Sequence, residues 1–446
     1  MNEFIALIVL YAILGTVVAI YARGGIRTQE DYFIGGRNIG GIISALTYAA
    51  TTYSAFMMVG LVGLSYVTGV GAAGFELMYL VGTLFLLSYY APKVWKLGKE
   101  KGLVSPAEMF TYRYGAITAK LATILALIAL IPYTSIQMIG VALILQKNAG
   151  ISFACGVAIA SILIALWAFL GGLRGVAWTD AIQGVFMLIV AVLAVLWTFN
   201  YIGGFEIPKE LAVVPNKFWT PLKFATLTIP WFFFALTNPQ VFQRLFIPKD
   251  ERAIKRMVIL FGLFGLIYTV LVTFLGLNLR FGTEIGKFPF VADRDKVTPT
   301  LLSIMPDWIA LPLALSIIAA AVTTANSIIL TLSSMVLRDV IGEKAKVVGG
   351  KIVVIVLTIV VAIFALKRIT YIVELAVLSS TILLCQLPLI LGVFHWKRGK
   401  EKTGFTTLIC GFTAAIVLSA MKHPMVSIVT LCVSFAVFLM ISLIER

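Results

Sequence analysis

Residues 49–69 read AATTYSAFMMVGLVGLSYVTG, and this stretch decides the fold. It lies within an apolar run, residues 40–67, that exceeds the roughly 20 residues needed to cross a bilayer. Four polar residues in a row interrupt the run: Thr51, Thr52, Tyr53 and Ser54. Polar groups at membrane depth are tolerated where a helix is broken and faces protein or a cavity. The stretch therefore predicts a discontinuous transmembrane helix.

The composition of the whole chain indicates a membrane protein. Of its 446 residues, 61% are apolar and only 12% are charged, and the mean hydropathy is +1.03. Soluble domains carry about 25% charged residues. So few charges cannot cover a water-exposed surface, which excludes a water-soluble enzyme or regulator.

Thirteen apolar runs are long enough to be transmembrane helices. The first is too long for a removable signal peptide and lacks a basic start. The sequence therefore predicts an all-α polytopic membrane protein with thirteen transmembrane helices, at residues 4–22, 40–67, 72–90, 121–145, 151–170, 179–202, 224–242, 257–279, 309–337, 352–366, 371–394, 405–421 and 425–443.

The basic residues predict an orientation. The chain has 35 Lys and Arg against 20 Asp and Glu, a net charge of +15. With thirteen spans, 24 of the 35 fall on one side of the membrane and 11 on the other. The positive-inside rule then places the N-terminus outside and the C-terminus in the cytoplasm. Nucleic-acid binding is the weaker interpretation of this charge, because no basic loop carries interleaved aromatic residues.

The spans form two blocks of similar length. Runs two to six occupy residues 40–202, and runs seven to eleven occupy residues 224–394. Five spans per block is an odd number, so the second block is inverted relative to the first, with a substrate site near the midplane. The seventh run carries its own interruption, Thr237-Asn238-Pro239-Gln240, in which Pro239 has no N–H to donate. We divide the chain into an N-terminal helix with its loop, the first repeat, an external loop, the second repeat and two C-terminal helices: residues 1–39, 40–203, 204–222, 223–396 and 397–446.

Few ionisable residues fall within the spans, and such residues are functional candidates by default. Asp180 begins the sixth run, where it is either functional or a helix-end carboxylate paired with Arg174. Glu76 and Glu374 lie near predicted span ends, where both solvated and buried positions are open. The four cysteines have no CxxC spacing and the two histidines lie far apart, so no metal site or enzymatic constellation is predicted.

The ninth run contains AAAVTTANSIILTLSS at residues 319–334, a dense stretch of hydroxyl groups. Thr323, Thr324, Asn326 and Ser327 span little more than one helical turn. Such residues can bond back to the preceding carbonyls or pack against neighbouring helices. They can also ligate a hard cation, because hydroxyls and freed carbonyls supply oxygens without burying net charge.

Together these segments resemble the sodium:solute symporter family, which includes sodium/proline, sodium/pantothenate and sodium/glucose cotransporters. The resemblance covers nearly the whole chain and implies a LeuT-type 5+5 inverted repeat, with one extra helix before it and two after. It rests on six pieces in the family's order: DYFIGGRNIG (31–40), the opening stretch, GGLRGVAWTDAIQG (171–184), NPQVFQRLFIPKDERAIKR (238–256), AAAVTTANSIILTLSSMVLRDV (319–340) and PLILGVFHWKRGKEKTG (388–404).

The resemblance also implies two ion sites. The main sodium site would use the carbonyls of Ala50, Tyr53 and Ala320 and the hydroxyls of Thr323 and Thr324. A second sodium site would fall on Asp180, Asn326 and Ser327, with Asn326 standing where a hydroxyl residue is expected.

By the same resemblance, the second run and neighbouring helices would line the substrate pocket. Proline carriers have an aspartate where Thr52 stands, and sugar carriers have polar residues where Phe56 and Met57 stand. A largely aromatic pocket suits a small, partly apolar solute, such as an amino acid like proline or a small organic acid. The full predicted set is Thr52, Phe56, Met57, Glu76, Gln137, Trp231, Phe234 and Asn238.

The resemblance implies sodium-coupled symport into the cell by alternating access, with Na+ as the co-transported ion, at the cell membrane. The alternatives are a proton-coupled carrier or exchanger of the same fold, which would use Asp180, and a membrane-embedded solute sensor. A sensor is disfavoured because no soluble output segment follows the last run. A passive channel is disfavoured because no filter motif is present.

Overall fold

The computed structural model describes residues 2–342, 346–368 and 372–445, except for the side chains of residues 2 and 372–374. Glu374 is therefore outside the described side chains. The regular secondary structure of the described residues consists of helices, with one isolated bridge between Ile39 and Pro248. The helices are α1 Asn2–Ala22, α2 Gln29–Ile34, α3 Gly41–Thr52, α4 Val62–Thr68, α5 Gly71–Lys101, α6 Glu108–Tyr114, α7 Ala116–Ala149, α8 Phe153–Ile202, α9 Pro221–Phe232, α10 Phe234–Thr237, α11 Pro239–Phe242, α12 Glu251–Glu284, α13 Val297–Ile304, α14 Asp307–Met335, α15 Val347–Leu366, α16 Ile372–Leu383, α17 Leu387–His395, α18 Glu401–Ala420 and α19 Val426–Ile444.

Ten of the described helical stretches are long and apolar enough to cross a membrane, and a bent pair makes eleven. The bent pair joins α3 to the helical stretch Phe56–Thr68 at an angle of 54°. The difference from the thirteen predicted spans arises in two places, α8 and the seventh run.

Helix α8 contains the fifth and sixth predicted runs. Its 50 residues would extend about 75 Å if straight, against a hydrocarbon core of about 30 Å. The helix breaks at Gly172, whose φ of 52° and ψ of −155° are non-helical. A Cβ atom at this position would lie 2.6 Å from the carbonyl oxygen of Tyr32. Glycine is therefore required here for both its backbone conformation and its lack of a side chain.

The seventh predicted run is divided into three short helices. Helix α9 ends at Phe232, α10 covers only four residues, and α11 begins at Pro239. Asn238, between α10 and α11, has an extended backbone with φ −93° and ψ 113°. The predicted break in this run is confirmed, and it explains why none of the three pieces is long enough to span alone.

The predicted break in the second run is also confirmed. Helix α3 ends at Thr52, and Tyr53 leaves the helix with a ψ of 83°. The chain then turns at Ser54, whose hydroxyl accepts a hydrogen bond from the N–H of Phe56 at 3.1 Å. A π-helical segment, Phe56–Leu61, leads into α4.

The loops between the long helices contact one another in two sets, one at each end of the bundle. At the end that we call the basic end, the contacts join Arg37 to Leu103, Trp95 to Pro248, Arg113 to Trp396 and Lys400 to Glu445. At the opposite end they join Lys147 to Pro299, Asn216 to Thr68 and Thr226 to Pro424. Both ends of α8 belong to the second set, because Lys147 before it and Ile202 at its end contact Pro299 and Lys287, which both lie between α12 and α14.

Helix α14, the ninth predicted run, is the centre of the bundle. It is buried along its apolar length, whereas α1 is mostly exposed on the outside of the bundle. Its neighbours include α3, α7, α8 and α15. The hydroxyl-rich face of α14 therefore has protein rather than lipid around it.

Replacing Gly172 with alanine tests the break in α8. We expect Gly172→Ala to lower the free energy of unfolding by about 2 kcal/mol or more, because it combines backbone strain with a clash against Tyr32. Gly140→Ala is the matched control, since a Cβ at Gly140 meets no atom within 4 Å. The control should be neutral or more stable by up to about 1 kcal/mol. Equal thermal stability of the two variants in detergent would contradict this account of Gly172.

Candidate functional site

The broken helix α3 is tied to α14 by two threonine hydroxyls. Thr323 Oγ1 donates to the carbonyl of Ala50 at 3.0 Å and lies 3.0 Å from the carbonyl of Ala320. Thr324 Oγ1 lies 3.3 Å from the carbonyls of both Ala50 and Thr51. These carbonyls of α3 are near its end, where the break removes the N–H groups that would otherwise bond to them.

The structure thus gathers four of the five predicted main-site ligands in direct contact. Ala50, Ala320, Thr323 and Thr324 are all 0–1% exposed. The fifth, Tyr53, is the residue at which α3 breaks, and its ψ of 83° turns its carbonyl away from the helical direction. All of these ligand atoms are oxygens, the type that hard cations prefer, and none of them carries a formal charge. Among the described residues, no group of three or more His, Cys, Asp or Glu could hold a metal ion instead.

The residues of the predicted second sodium site are also buried beside α3. Asp180 Oδ2 accepts a hydrogen bond from Thr47 Oγ1 at 2.7 Å. Ser327 Oγ lies 2.8 Å from Thr51 Oγ1. Asn326 is fully buried, and neither atom of its side-chain amide has a partner among the described residues. Asp180 and Ser327 therefore meet at α3, while the polar atoms of Asn326 are unsatisfied.

A buried arginine beside this site was missed in the sequence. Arg244 is fully buried, its Nη2 donates to Ser327 Oγ at 2.5 Å, and its charge interacts with Asp180. Arg244 is one of the 24 basic residues that the charge count placed at one side of the membrane, and its position in the buried core is a correction to that count. Arg174, the alternative partner suggested for Asp180, instead packs against Gly24. The available signal was that Arg244 follows the Pro239 break by only five residues, still within an apolar segment.

A cavity lies next to the break in α3. Its volume is about 20 Å³, room for little more than one water molecule. Six of the eight predicted substrate residues line it: Thr52, Phe56, Met57, Glu76, Trp231 and Phe234. The other lining residues are Tyr53, Ser54, Tyr79 and Tyr133. Tyr79 could have been found by helical spacing, because it lies three residues after Glu76 on α5.

The two remaining predicted substrate residues are buried but lie outside this lining. Gln137 is on α7, and neither its amide oxygen nor its nitrogen has a partner among the described residues. Asn238 is at the break of the seventh run, where its amide donates to the hydroxyl of Thr237 at 3.3 Å. The structure therefore does not bring either residue to the cavity wall.

Glu76 is buried rather than solvated, with 2% of its surface exposed. Its Oε2 has no hydrogen-bond partner among the described residues. Aromatic rings surround the same cavity, with Trp231 at 5.7 Å from Phe56 and 5.8 Å from Phe234 between ring centroids. The second possibility raised by the sequence, a buried Glu76, is therefore confirmed.

A larger cavity of about 510 Å³ lies towards the opposite end of the bundle. It is lined by Phe75 and Trp219 together with Lys223, Arg294 and Lys422, among others. The Phe75 ring lies 5.5 Å from the ring of Trp231, which belongs to the small cavity. This pair of aromatic rings separates the two cavities.

Polar contacts close the basic end. Arg338 forms an ion pair with Glu108, and Glu108 also accepts from the backbone N–H of Ser105 at 3.0 Å. Asp339, on the segment after α14, accepts hydrogen bonds from Ser105 at 2.6 Å and from Thr123 at 3.0 Å. The end of α14 is thereby fastened to the loop before α6 and to α7.

Apolar helices broken within the bundle, with uncharged oxygens gathered at one break beside a closed cavity, define an ion-coupled secondary transporter. The comparisons with known proteins agree. The profile of the sodium:solute symporter family matches residues 32–411, and the chain belongs to that family.

The relatives are sodium-coupled and related transporters. The sodium/pantothenate symporter of Escherichia coli is 26% identical over 460 residues, covering 95% of this chain and 93% of the relative. The osmoregulated proline transporter OpuE of Bacillus subtilis is 22% identical over 440 residues, covering 93% and 88%. The chain is therefore a multi-pass protein of the cell membrane that couples transport of a solute to Na+ and is not an enzyme.

Solved structures share the fold. A Na+-coupled sialic acid symporter in a substrate-bound, outward-open state superposes with a TM-score of 0.83 at 19% identity, covering 99% of this chain and 98% of that one. MhsT in complex with L-phenylalanine gives a TM-score of 0.57 at 14% identity, covering 90% and 97%. These neighbours have the LeuT fold, which agrees with the fold class that the sequence suggested.

Removing one hydroxyl should weaken sodium binding. We expect Thr324→Ala to raise the sodium concentration for half-maximal thermal stabilisation about tenfold, the effect of losing an interaction of about 1.4 kcal/mol. Thr324→Ser keeps the oxygen and should stay close to the parent. Thr358→Ala is a second control, because Thr358 is a buried threonine of α15 that bonds back to Val354. An unchanged sodium midpoint in Thr324→Ala would contradict the assignment.

The buried charges of Asp180 and Arg244 should be coupled in stability. Asp180→Asn and Arg244→Gln should each lower the free energy of unfolding by about 3 kcal/mol, since each leaves the other charge buried and uncompensated. The double variant should lose clearly less than the sum of the two. Denaturant or thermal unfolding of the four proteins measures this coupling, and additive losses would show that the two charges do not depend on each other.

Proposed function

We propose that the protein imports a small organic solute together with sodium by alternating access, the solute being an amino acid such as proline or a small organic acid. The observation that carries this proposal is the contact of the Thr323 and Thr324 hydroxyls with the Ala50 carbonyl at the break in α3. An ion held there touches two helices at once. Its presence or absence can therefore change how the broken helix sits against α14.

The main sodium site in this proposal consists of Ala50, Tyr53, Ala320, Thr323 and Thr324. Hydroxyls can both donate and accept, so the two threonines can bond to carbonyls without the ion and turn their lone pairs to it when it binds. Sodium then replaces direct hydrogen bonds between α14 and α3 by a shared coordination shell. The site contains no carboxylate. Its neutral oxygens therefore hold the ion less tightly than a carboxylate would, so the ion can leave on the other side of the membrane.

Asp180, Asn326 and Ser327 form the proposed second sodium site. An ion there would share the Asp180 carboxylate with the Arg244 guanidinium, which already contacts Ser327. The amide oxygen of Asn326, which has no partner among the described residues, could replace the expected hydroxyl as a ligand.

The proposed substrate residues are those that line the small cavity, with Gln137 and Asn238 joining only if the site enlarges. A volume of about 20 Å³ holds no organic solute without movement of its walls. A small solute requires the least movement, which favours an amino acid or a small organic acid over a sugar. The named relatives carry pantothenate and proline, so substrate choice differs between members with this architecture.

We also propose thirteen membrane crossings with the N-terminus outside and the C-terminus inside, and the 5+5 inverted repeat with the divisions given above. The break at Gly172 supports two crossings in α8, and the three pieces α9–α11 support one more. The location of both ends of α8 at one end of the bundle also supports two crossings. The end that carries most of the basic residues would face the cytoplasm.

In this proposal, alternating access opens two barriers in turn: the Phe75 and Trp231 rings, and the polar contacts at the basic end. The solute would enter through the larger cavity and pass the Phe75 and Trp231 rings. Release at the basic end would require the Arg338–Glu108 pair and the contacts of Asp339 to separate. Because binding linkage is reciprocal, sodium must raise the affinity for the solute by the same factor as the solute raises that for sodium.

Two linked measurements test the function. Thermal stabilisation of the purified protein is first screened across amino acids, monocarboxylates, pantothenate and sugars, with sodium or potassium present. Uptake of the stabilising solute into proteoliposomes should then collapse when inward sodium is removed. A membrane potential of 100 mV adds about 2.3 kcal/mol per charge to the driving force, so an inside-negative potential should increase uptake. Full-rate uptake without sodium, or uptake driven only by a proton gradient, would refute the proposal.

A further inference from the structure

Glu76 is the one residue with a charged side chain among the ten that line the small cavity. It is 2% exposed and its Oε2 has no partner among the described residues. The lining contains no Lys, Arg or His. Burying a carboxylate that has no cationic partner is costly unless several hydrogen-bond donors compensate it, and Trp231 is the one side chain in the described part of the chain that the structure records as a hydrogen-bond partner of Glu76.

Two arginines of the bundle, Arg244 and Arg338, already have polar partners. The Arg244 guanidinium contacts Ser327 and interacts with Asp180. Arg338 is paired with Glu108 at the basic end. The proposed sodium site uses carbonyl and hydroxyl oxygens of α3 and α14, whereas Glu76 is on α5. Because no lysine, arginine or histidine lines the cavity, a positively charged solute would supply the charge that Glu76 lacks there.

The rest of the wall also suits a cation. The Trp231 ring contacts the rings of Phe56 and Phe234, and Tyr79 lies 5.6 Å from Phe234 in an edge-on arrangement. Aromatic faces attract an ammonium group, most strongly where water is excluded. A carboxylate alone would instead meet the negative Glu76 in the same small space.

The cavity also offers donors to a second solute group. The hydroxyls of Ser54 and Tyr133 lie 3.3 Å apart at the break in α3, and Thr52 adds a third hydroxyl to the lining. These groups could donate to the carboxylate of a zwitterion while Glu76 holds its amine. The polar groups of the cavity thus divide into one acidic acceptor and several neutral hydroxyls.

We infer that Glu76 binds the ammonium group of the transported solute and so selects amino acids and small amines against organic acids that lack an amine. This inference rests on the proposed function and narrows its substrate class. Glu76 is thereby a specificity-determining residue of the cavity.

Matched solutes test the inference on the parent protein. The first set is L-proline, cyclopentanecarboxylate and pyrrolidine, and the second is L-alanine, propionate and ethylamine; the other common amino acids extend the panel. Thermal stabilisation of the full-length protein is measured with sodium and with potassium. We expect stabilisation in sodium by at least one ammonium-bearing solute and none by its amine-free analogue. Equal stabilisation by the analogue, or none by any ammonium-bearing solute, would overturn the inference.

A charge-removing variant tests the residue itself. Glu76→Gln should weaken the apparent affinity for the ammonium-bearing solute at least tenfold, in binding and in uptake. Glu100→Gln, at the exposed end of the same helix, is the matched control and should bind like the parent. Sodium alone should still stabilise Glu76→Gln, which shows that the variant is folded. Unchanged solute affinity in Glu76→Gln would also overturn the inference.

The outcomes separate this inference from the proposed function. If an organic acid or a sugar stabilises the protein only in sodium, sodium symport stands and the role of Glu76 falls. If an ammonium-bearing solute binds through Glu76 but sodium has no effect on its binding or uptake, the role of Glu76 stands and sodium symport falls.

Discussion

The contact between the Thr323 and Thr324 hydroxyls and the carbonyls at the end of α3 is the junction on which the site depends. A helix that ends inside a membrane protein leaves carbonyls that neither water nor lipid can satisfy. Helix α14 supplies the missing partners, and it can do so because it lies buried at the centre of the bundle. The break, the buried helix and the gathered oxygens are therefore consequences of one constraint, the need to satisfy the backbone of a broken helix.

Charge is used differently in the two halves of the site. Asp180 and Arg244 are both buried in the core, where the attraction between their charges offsets part of the cost of burying them. Glu76 has no such partner among the described residues, although it is equally removed from water. A carboxylate beside an arginine can share its charge with an ion, whereas one in a cavity without a cation is available to a charged solute. The contrast separates the proposed second sodium site from the proposed solute site.

Sequence reasoning predicted what local pattern controls and missed what tertiary packing controls. Hydropathy and the polar stretch Thr51–Ser54 predicted the spans and the broken helix, because both follow from the residues of one segment. The burial of Arg244 was missed, since basic residues near span ends usually mark loops. Tyr79 and Tyr133 reach the cavity from α5 and α7, and only the packing of those helices against the break brings them there. Gln137 and Asn238 were expected at the cavity from the family resemblance, and the packing places them outside its wall.

The broken helix also gives coupling a short physical path. Ala50 faces the proposed sodium site, and Thr52, two residues later, lines the cavity for the solute. The cavity is too small for an organic solute unless its walls move, and the segment from Thr52 to Phe56 forms part of those walls. An ion that fixes the end of α3 against α14 therefore fixes one wall of the solute site as well. Conversely, a solute that holds the wall in place holds the ion's carbonyls in place, which is the reciprocity that symport requires.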